Sequence, residues 1–257
     1  MISIVMAFHN RLPLLEYTLS TFNKSSNKDF EVVIVDDYSS QEHSLDNIKN
    51  KYSNININII NMRDIYKEKI YYNPCIPFNV GFRKSKGDCI IIQNPECCHV
   101  GDVISHVEHN LTNSIYLSFN CYSTSDQDTK ALHVSNTISN IKNIGASNDG
   151  DSAWYNHPIY RPYAYHFTSG ITRKNLTELN GFDEKYAHGH GYDDSEFIQR
   201  IRIKNLKVSF VNTPFVVHQF HYSGERGSLS PTQNNATLFR NTVNENTFFV
   251  KNAENIT

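Results

Sequence analysis

Short apolar runs alternate along the chain with segments whose apolar residues fall at helical spacing. Ile2 to Ala7 is short and rich in β-branched residues, which predicts a buried strand. Arg11 to Phe22 carries Leu12, Leu15, Leu19 and Phe22 at helical intervals. Phe30 to Val35 is a second buried strand, ending at Asp36 and Asp37. His43 to Tyr52 predicts a helix, and Ile55 to Ile60, where Ile and Asn alternate, a strand near a sheet edge. Pro77 suits the first turn of a helix running to Lys86, and Cys89 to Ile92 is another buried strand. This βαβαβ–αβ order predicts a mainly parallel sheet with helices on its faces.

Further on, Val100 to Asn110 predicts a helix and Ser114 to Cys121 a strand. Asp126 to Tyr163 is polar and weakly periodic, which predicts one short helix and a long loop. Tyr192 to Lys204 is an amphipathic helix with Phe197, Ile198 and Ile201 on one side. Val208 to Val211 and Phe215 to Val217 predict two strands separated by Pro214. After Arg226 the chain is rich in Asn, Thr and Ser, and a loop beside the active site followed by a poorly packed tail is expected. No repeat or low-complexity linker divides the 257 residues. One domain is expected, with a first half to about Glu96, a second to about residue 224, and a polar tail over 225–257.

Composition narrows the picture. Apolar residues make up 39%, but 15 Tyr and 15 Phe supply bulk for a sizeable core. A net charge of −2, without basic runs, speaks against a nucleic-acid partner and against a membrane-surface patch. The Ile2–Ala7 run is too short to span a bilayer and has neither a basic flank nor a cleavage site, so a cytoplasmic location is expected. Five cysteines with no C-x-x-C pair suggest neither a disulfide framework nor a zinc site.

Ligands of open parallel sheets bind beyond the carboxyl ends of the strands. Three such ends are notable: Phe8-His9-Asn10-Arg11, Asp36-Asp37-Tyr38-Ser39-Ser40 and Gln93-Asn94-Pro95-Glu96. A carboxylate there can accept hydrogen bonds from a ribose or a base; it can equally cap a helix.

Ser3 to Arg11, Val33 to Ser40, Phe78-Asn79-Val80-Gly81 and Lys86-Gly87-Asp88 together resemble family 2 glycosyltransferases, which have a GT-A α/β fold. The resemblance implies Ala7, Phe8, Asn10 and Arg11 near a nucleotide, Asp36 or Asp37 on its uracil or ribose, and Asn79 and Gly81 beside the donor. Asn180-Gly181-Phe182-Asp183-Glu184, followed by His188-Gly189-His190-Gly191-Tyr192-Asp193-Asp194-Ser195-Glu196-Phe197, is similar to the Gly-Trp-Gly-Gly-Glu-Asp block of galactosyltransferases and chondroitin-type polymerases. That block implies Asp194 as catalytic base, with Asp193 where Glu usually stands. The bland reading is that these acids only favour the helix dipole.

Where the family carries Asp-x-Asp, this chain has Asn94-Pro95-Glu96. Glu96 matches the acid that ligates the metal, and Asn94 keeps an oxygen without the charge. Mn²⁺ or Mg²⁺ is implied, with His218 as a further ligand and His221 as the runner-up; a turn without metal is the other reading. Trp154 is the best candidate among several aromatics for an acceptor platform. The expected reaction is inverting transfer of a sugar from a nucleoside diphosphate, a UDP-sugar, to a hydroxyl of a glycan, a lipid-linked acceptor or a protein. The alternative is a non-catalytic GT-A-like binding or scaffold protein, favoured by the altered metal motif and opposed by the Asp193-Asp194 block. A dinucleotide enzyme is opposed by the lack of G-x-G-x-x-G after the first strand.

Overall fold

The computed structural model describes residues 1–138, 141, 152–222 and 232–256. Its first half runs β1 (Ile2–Phe8), α1 (Leu12–Phe22), β2 (Phe30–Asp36), α2 (Ile48–Lys51), β3 (Asn56–Asn61), α3 (Cys75–Lys84) and β4 (Cys89–Gln93). Then follow β5 (Cys97–Val100), α4 (Val103–Asn110), β6 (Ile115–Ser123), α5 (Asp126–Ser135), β7 (Ala153–Asn156) and β8 (Thr168–Thr172). The chain closes with α6 (Arg173–Leu179), α7 (Asp193–Ile203), β9 (Lys207–His218) and α8 (Thr232–Thr242).

Side-chain alternation along the strands builds two cores. Ile4, Met6 and Phe8 of β1, with Val32 and Ile34 of β2, face α1 and α4 through Leu15, Leu19, Phe22, Val103 and Val107. Val5, Val33, Val35, Ile90 and Ile92 face the other way, onto Phe78 and Phe82 of α3, Leu176 and Leu179 of α6, and Phe197 and Ile201 of α7. One sheet separates the cores, in the order β3-β2-β1-β4-β8-β6-β9-β5, with β7 on β6. The first four of these strands are parallel. β8 then runs against β4 and β6, β9 is parallel to β6, and β5 is antiparallel to β9. The carboxyl ends of β1, β2, β4, β6 and β9 therefore share one edge with the start of β8. Among the described residues no helix is long and apolar enough to cross a membrane.

Several elements differ from expectation. The helix expected over His43–Tyr52 shrinks to a 3-10 turn and the four-residue α2. Cys97–Val100 is a strand rather than a helix start, and α4 begins after Asp102, whose side chain accepts from Ser105 N at 3.1 Å. Pro214 does not split β9. The β6–β9 ladder is interrupted between Phe119↔Val211 and Cys121↔Val216, so Pro214 falls where no ladder N–H is required.

The described tail, residues 232–256, is docked rather than poorly packed. Asn180 donates to Val250 O (2.9 Å) and accepts from Ile256 N (2.7 Å), and Ile256 is buried in the second core. Asn252 donates to the carbonyls of Asn180 (2.7 Å) and Phe182 (2.8 Å). Asn235 of α8 donates to Tyr186 O and Gly191 O and so holds the turn that enters α7. A polar composition hid this because the contacts are amide side chains pairing with backbone, not apolar periodicity.

Three residues expected beside the donor belong to the interior. The Phe8 ring is fully buried in the first core, and its carbonyl accepts from Asp37 N at 2.7 Å. A Cβ on Gly81 would lie 2.4 Å from a Val5 methyl, so this glycine is what lets α3 lie against β1. Asn79 is fully buried, donates to Phe182 O (2.9 Å) and Glu184 Oε1 (3.1 Å), and accepts from Phe182 N (2.9 Å). Asn79→Ala should lower stability by roughly 2–4 kcal/mol, because it removes these bonds and strands a buried N–H, while leaving nucleotide affinity unchanged. Denaturant unfolding and UDP titration check this; lost affinity at unchanged stability would return Asn79 to the donor.

Candidate active site

Glu96 forms one centre of the shared edge. It follows β4 and precedes β5, whose pairing with β9 sets Cys97 opposite His218. Gln219 N donates to Glu96 O (3.1 Å), fixing the two segments together. The Glu96 carboxylate is buried, with Oε1 at 3.0 Å from Arg11 Nη1, 3.3 Å from His218 Nε2 and 3.6 Å from His221 Nε2. Burial opposes its ionisation, but Arg11 and hydrogen bonds from the two histidines outweigh that and hold the carboxyl well below its usual range. Oε2 is buried with no hydrogen-bond partner. Atoms of Glu96, His218 and His221 lie within 4.8 Å of one another, a carboxylate and two imidazoles. The structure thus joins the first-choice and runner-up histidines in one group, and Arg11 with them. Asn94 stands at the same turn, its N–H donating to Phe167 O (3.0 Å).

Beside this centre, the ends of β1 and β2 are laced together. Asn10, exposed and at φ 51°, donates from its backbone to Ser39 Oγ (3.1 Å) and accepts from Ser40 N (2.8 Å). Ala7 is half-buried against the second core. Asp36 accepts from Ser39 N (3.1 Å), closing the turn. Asp37 is buried, and both its oxygens are engaged, by Lys69 Nζ (2.6 Å) and Tyr71 Oη (2.8 Å). Burial and the Asp37 charge push the Tyr71 phenol up, so it remains a donor. A polar cleft of about 380 Å³ lies here, lined by Asp36, Ser39, Ser40, Lys49, Asn61 and Arg63 among others.

The second centre is the start of α7, entered through Gly191 at φ +70° and Tyr192 at φ 66°. Asp193 is buried and accepts from Asn73 Nδ2 at 2.6 Å. Burial and the neighbouring Asp194 push Asp193 up to about 6. Asp194 is 31% exposed and contacts Nδ1 of the buried His166. Glu196 is instead structural, paired with Arg200, which also donates to Leu179 O and Gly181 O.

The segment entering β8 connects the two centres. Phe167 lies 5.8 Å from the His218 ring, His166 meets Asp194, and Tyr165 Oη is 3.2 Å from Ser195 Oγ. Trp154 is not an open platform: it is buried among Tyr122, His157 and Phe215. Tyr163, half exposed and stacked on Tyr165 at 5.2 Å, is the accessible ring of that region.

Sequence reading missed His166, Asn73, Lys69 and Tyr71. All but His166 lie on irregular backbone ahead of α3, where no periodicity marks them. His166 had a signal: had Thr168–Thr172 been read as an antiparallel strand, its incoming end would have fallen at the ligand edge.

Known proteins place this geometry. Glycosyl transferase family 2 matches residues 3–166, and the N-terminal domain of galactosyltransferase matches residues 158–222. No curated protein matches the chain. Among solved structures, S. aureus TarS 1-349 in complex with UDP-GlcNAc is similar at TM-score 0.64 and 13% identity, over 92% of this chain and 64% of that one. GalNAc-T7 with UDP, GalNAc and Mn²⁺ is similar at TM-score 0.62 and 17% identity, over 92% and 47%. The mannosyltransferase PcManGT from Pyrobaculum calidifontis, in complex with GDP-Man and Mn²⁺, is similar at TM-score 0.54 and 14% identity, over 88% and 58%. This chain therefore spans less than two thirds of the length of each of these structures, and at such identities the likeness is one of fold. With the first match covering well over half of its residues on a GT-A fold, the chain belongs to glycosyl transferase family 2.

Proposed function

We propose that the protein transfers a sugar from a nucleoside diphosphate, a UDP-sugar, to a hydroxyl acceptor with inversion at the anomeric carbon. The observation that carries this is the arrangement of two centres on one short segment. Buried Glu96 with its two histidines stands on one side, and the partly exposed Asp194 on the other. The fold neighbours named with UDP-GlcNAc, with UDP and GalNAc, or with GDP-Man support a nucleotide-sugar donor.

The donor set fits a divalent cation. Glu96 is held ionised, its Oε2 has no partner, and His218 and His221 offer nitrogen atoms beside it. Two of the fold neighbours are named with Mn²⁺. Mn²⁺ or Mg²⁺ bound by these three residues would supply positive charge to the departing diphosphate. Arg11, one-third exposed, adds a permanent cation at the same place. Asp36 lines the polar cleft in which the nucleoside would be read, Asn10 is bonded to its lining residues Ser39 and Ser40, and Asp37 follows Asp36 with both oxygens engaged by Lys69 and Tyr71. Ala7 supplies backbone there, and Asn94 an uncharged oxygen.

Asp194 accepts the proton of the attacking hydroxyl. It stands in the first turn of α7, and its partial exposure leaves it open to an acceptor. Asp193, pinned by Asn73, supports the backbone and charge of that turn rather than meeting the acceptor. The acceptor is a glycan, a lipid-linked sugar or a protein hydroxyl, and Tyr163 is the ring best exposed to stack on it.

A screen of UDP-sugars against hydroxyl acceptors, with and without Mn²⁺, tests the reading directly. Asp194→Asn should keep the fold and donor affinity and lose transfer by on the order of a hundredfold or more. Transfer near the wild-type rate would remove Asp194 as base. UDP should bind more tightly in Mn²⁺ than in EDTA. Glu96→Gln should abolish most of that gain without changing uridine binding, and Asn94→Asp should enlarge it by adding a charged oxygen ligand. Equal UDP affinity in EDTA and Mn²⁺ for the wild type would contradict the metal site.

A further inference from the structure

His166 is a buried side chain in contact with Asp194 to which the proposed reaction gives no role. It lies in the turn just ahead of β8 and is buried there. The ring is enclosed by Phe78, edge-on at 5.5 Å, and Phe182 at 4.7 Å. Its open side meets Asp194 through Nδ1. Asp194 and Asp193, both from α7, are the charged groups that act on it. The Cys75 thiol of α3 and the Tyr116 phenol of β6 also lie near this acid pair, and burial pushes both up, so they stay neutral.

From this geometry we infer that His166 is a positioning residue for the catalytic base, holding one oxygen of Asp194 so that the other faces the acceptor hydroxyl. The inference rests on the reading of Asp194 as base. A carboxylate at a helix start can rotate about two torsions, and contact with an imidazole packed between Phe78 and Phe182 restricts that freedom. The ring is also pushed toward its charged form. Burial opposes its protonation, but Asp194, by charge and by hydrogen bond, and then Asp193 outweigh that and raise it above the ordinary histidine value. The acceptor proton thus passes to Asp194 alone, and His166 neither gains nor loses a proton in the step.

The test follows the His166 ring by NMR, identified by the resonance that disappears in His166→Asn. Asp194→Asn should lower the His166 titration midpoint by about one to three pH units, since it removes the adjacent anion. In parallel, UDP release from UDP-N-acetylglucosamine is followed against pH. His166→Leu should lower the rate at least tenfold, because Asp194 loses the group that holds its oxygen, and His166→Asn, which places an amide N–H near the Nδ1 position, should recover much of that loss. A His166 midpoint indifferent to Asp194→Asn would overturn the inference. So would a His166→Asn rate no higher than that of His166→Leu, which is what a purely structural role produces. An active Asp194→Asn enzyme would instead overturn the base assignment itself, a result distinguishable from either.

Discussion

Glu96 carries a charge that the fold has taken out of water; its side chain is only 3% exposed. Burying a carboxylate costs several kcal/mol unless partners replace the lost hydration. The partners come from two distant parts of the sequence. Arg11 follows β1, His218 ends β9 and His221 lies just beyond it, while Glu96 itself joins β4 to β5. The antiparallel return of β5 onto β9 is what brings these strand ends to one point. Three full ligand groups are not needed to satisfy one carboxylate, and Oε2 remains without a partner. Three partners crowd Oε1 while Oε2 has none, and the proposed cation site rests on that imbalance.

The second centre depends on the same edge through β8. Because β8 runs against β4, the chain entering it passes between the two centres. Residues 165–167 divide their side chains accordingly, with Phe167 toward His218 and His166 toward Asp194. The described tail completes the support. Asn235 grips the turn ahead of α7, while Asn180 and Asn252 lock the chain after α6 to the final residues. The acid pair is thus held on one side by the sheet and on the other by the C-terminal segment.

Where apolar periodicity dominates, the fold was legible from sequence: β1, α1, β2, β4 and α7 lie close to where their patterns put them. Short polar strands were not. Thr168–Thr172 is fully buried, yet it presents no apolar run, because its small side chains lie in the middle of a wide sheet. Cys97–Val100 was hidden by its two cysteines and its histidine. Glu96, His218, Asp193 and Asp194 stand at strand or helix ends within short motifs, and the structure brings Glu96 to His218 and sets Asp193 and Asp194 together at the start of α7. Asn79, Gly81 and Phe8 carry motif signals of the same kind but stand in the interior. A motif shows that a residue type is required, but not whether a ligand or the core requires it. Here Asn79 satisfies backbone, Gly81 permits close approach, and Phe8 fills the core. Pairs formed across long separations, such as Lys69 with Asp37 or His166 with Asp194, leave no local trace at all.

The central claim is that the buried carboxylate and its two imidazoles receive the donor's diphosphate through a divalent cation. Crystals grown with UDP and Mn²⁺, measured for anomalous scattering at the manganese edge, test it in one experiment. The account predicts a single strong peak bonded to Glu96, His218 and His221 and to the phosphates of UDP. A UDP molecule bound with no ion beside Glu96, or a peak at Asp193 and Asp194 instead, would contradict it.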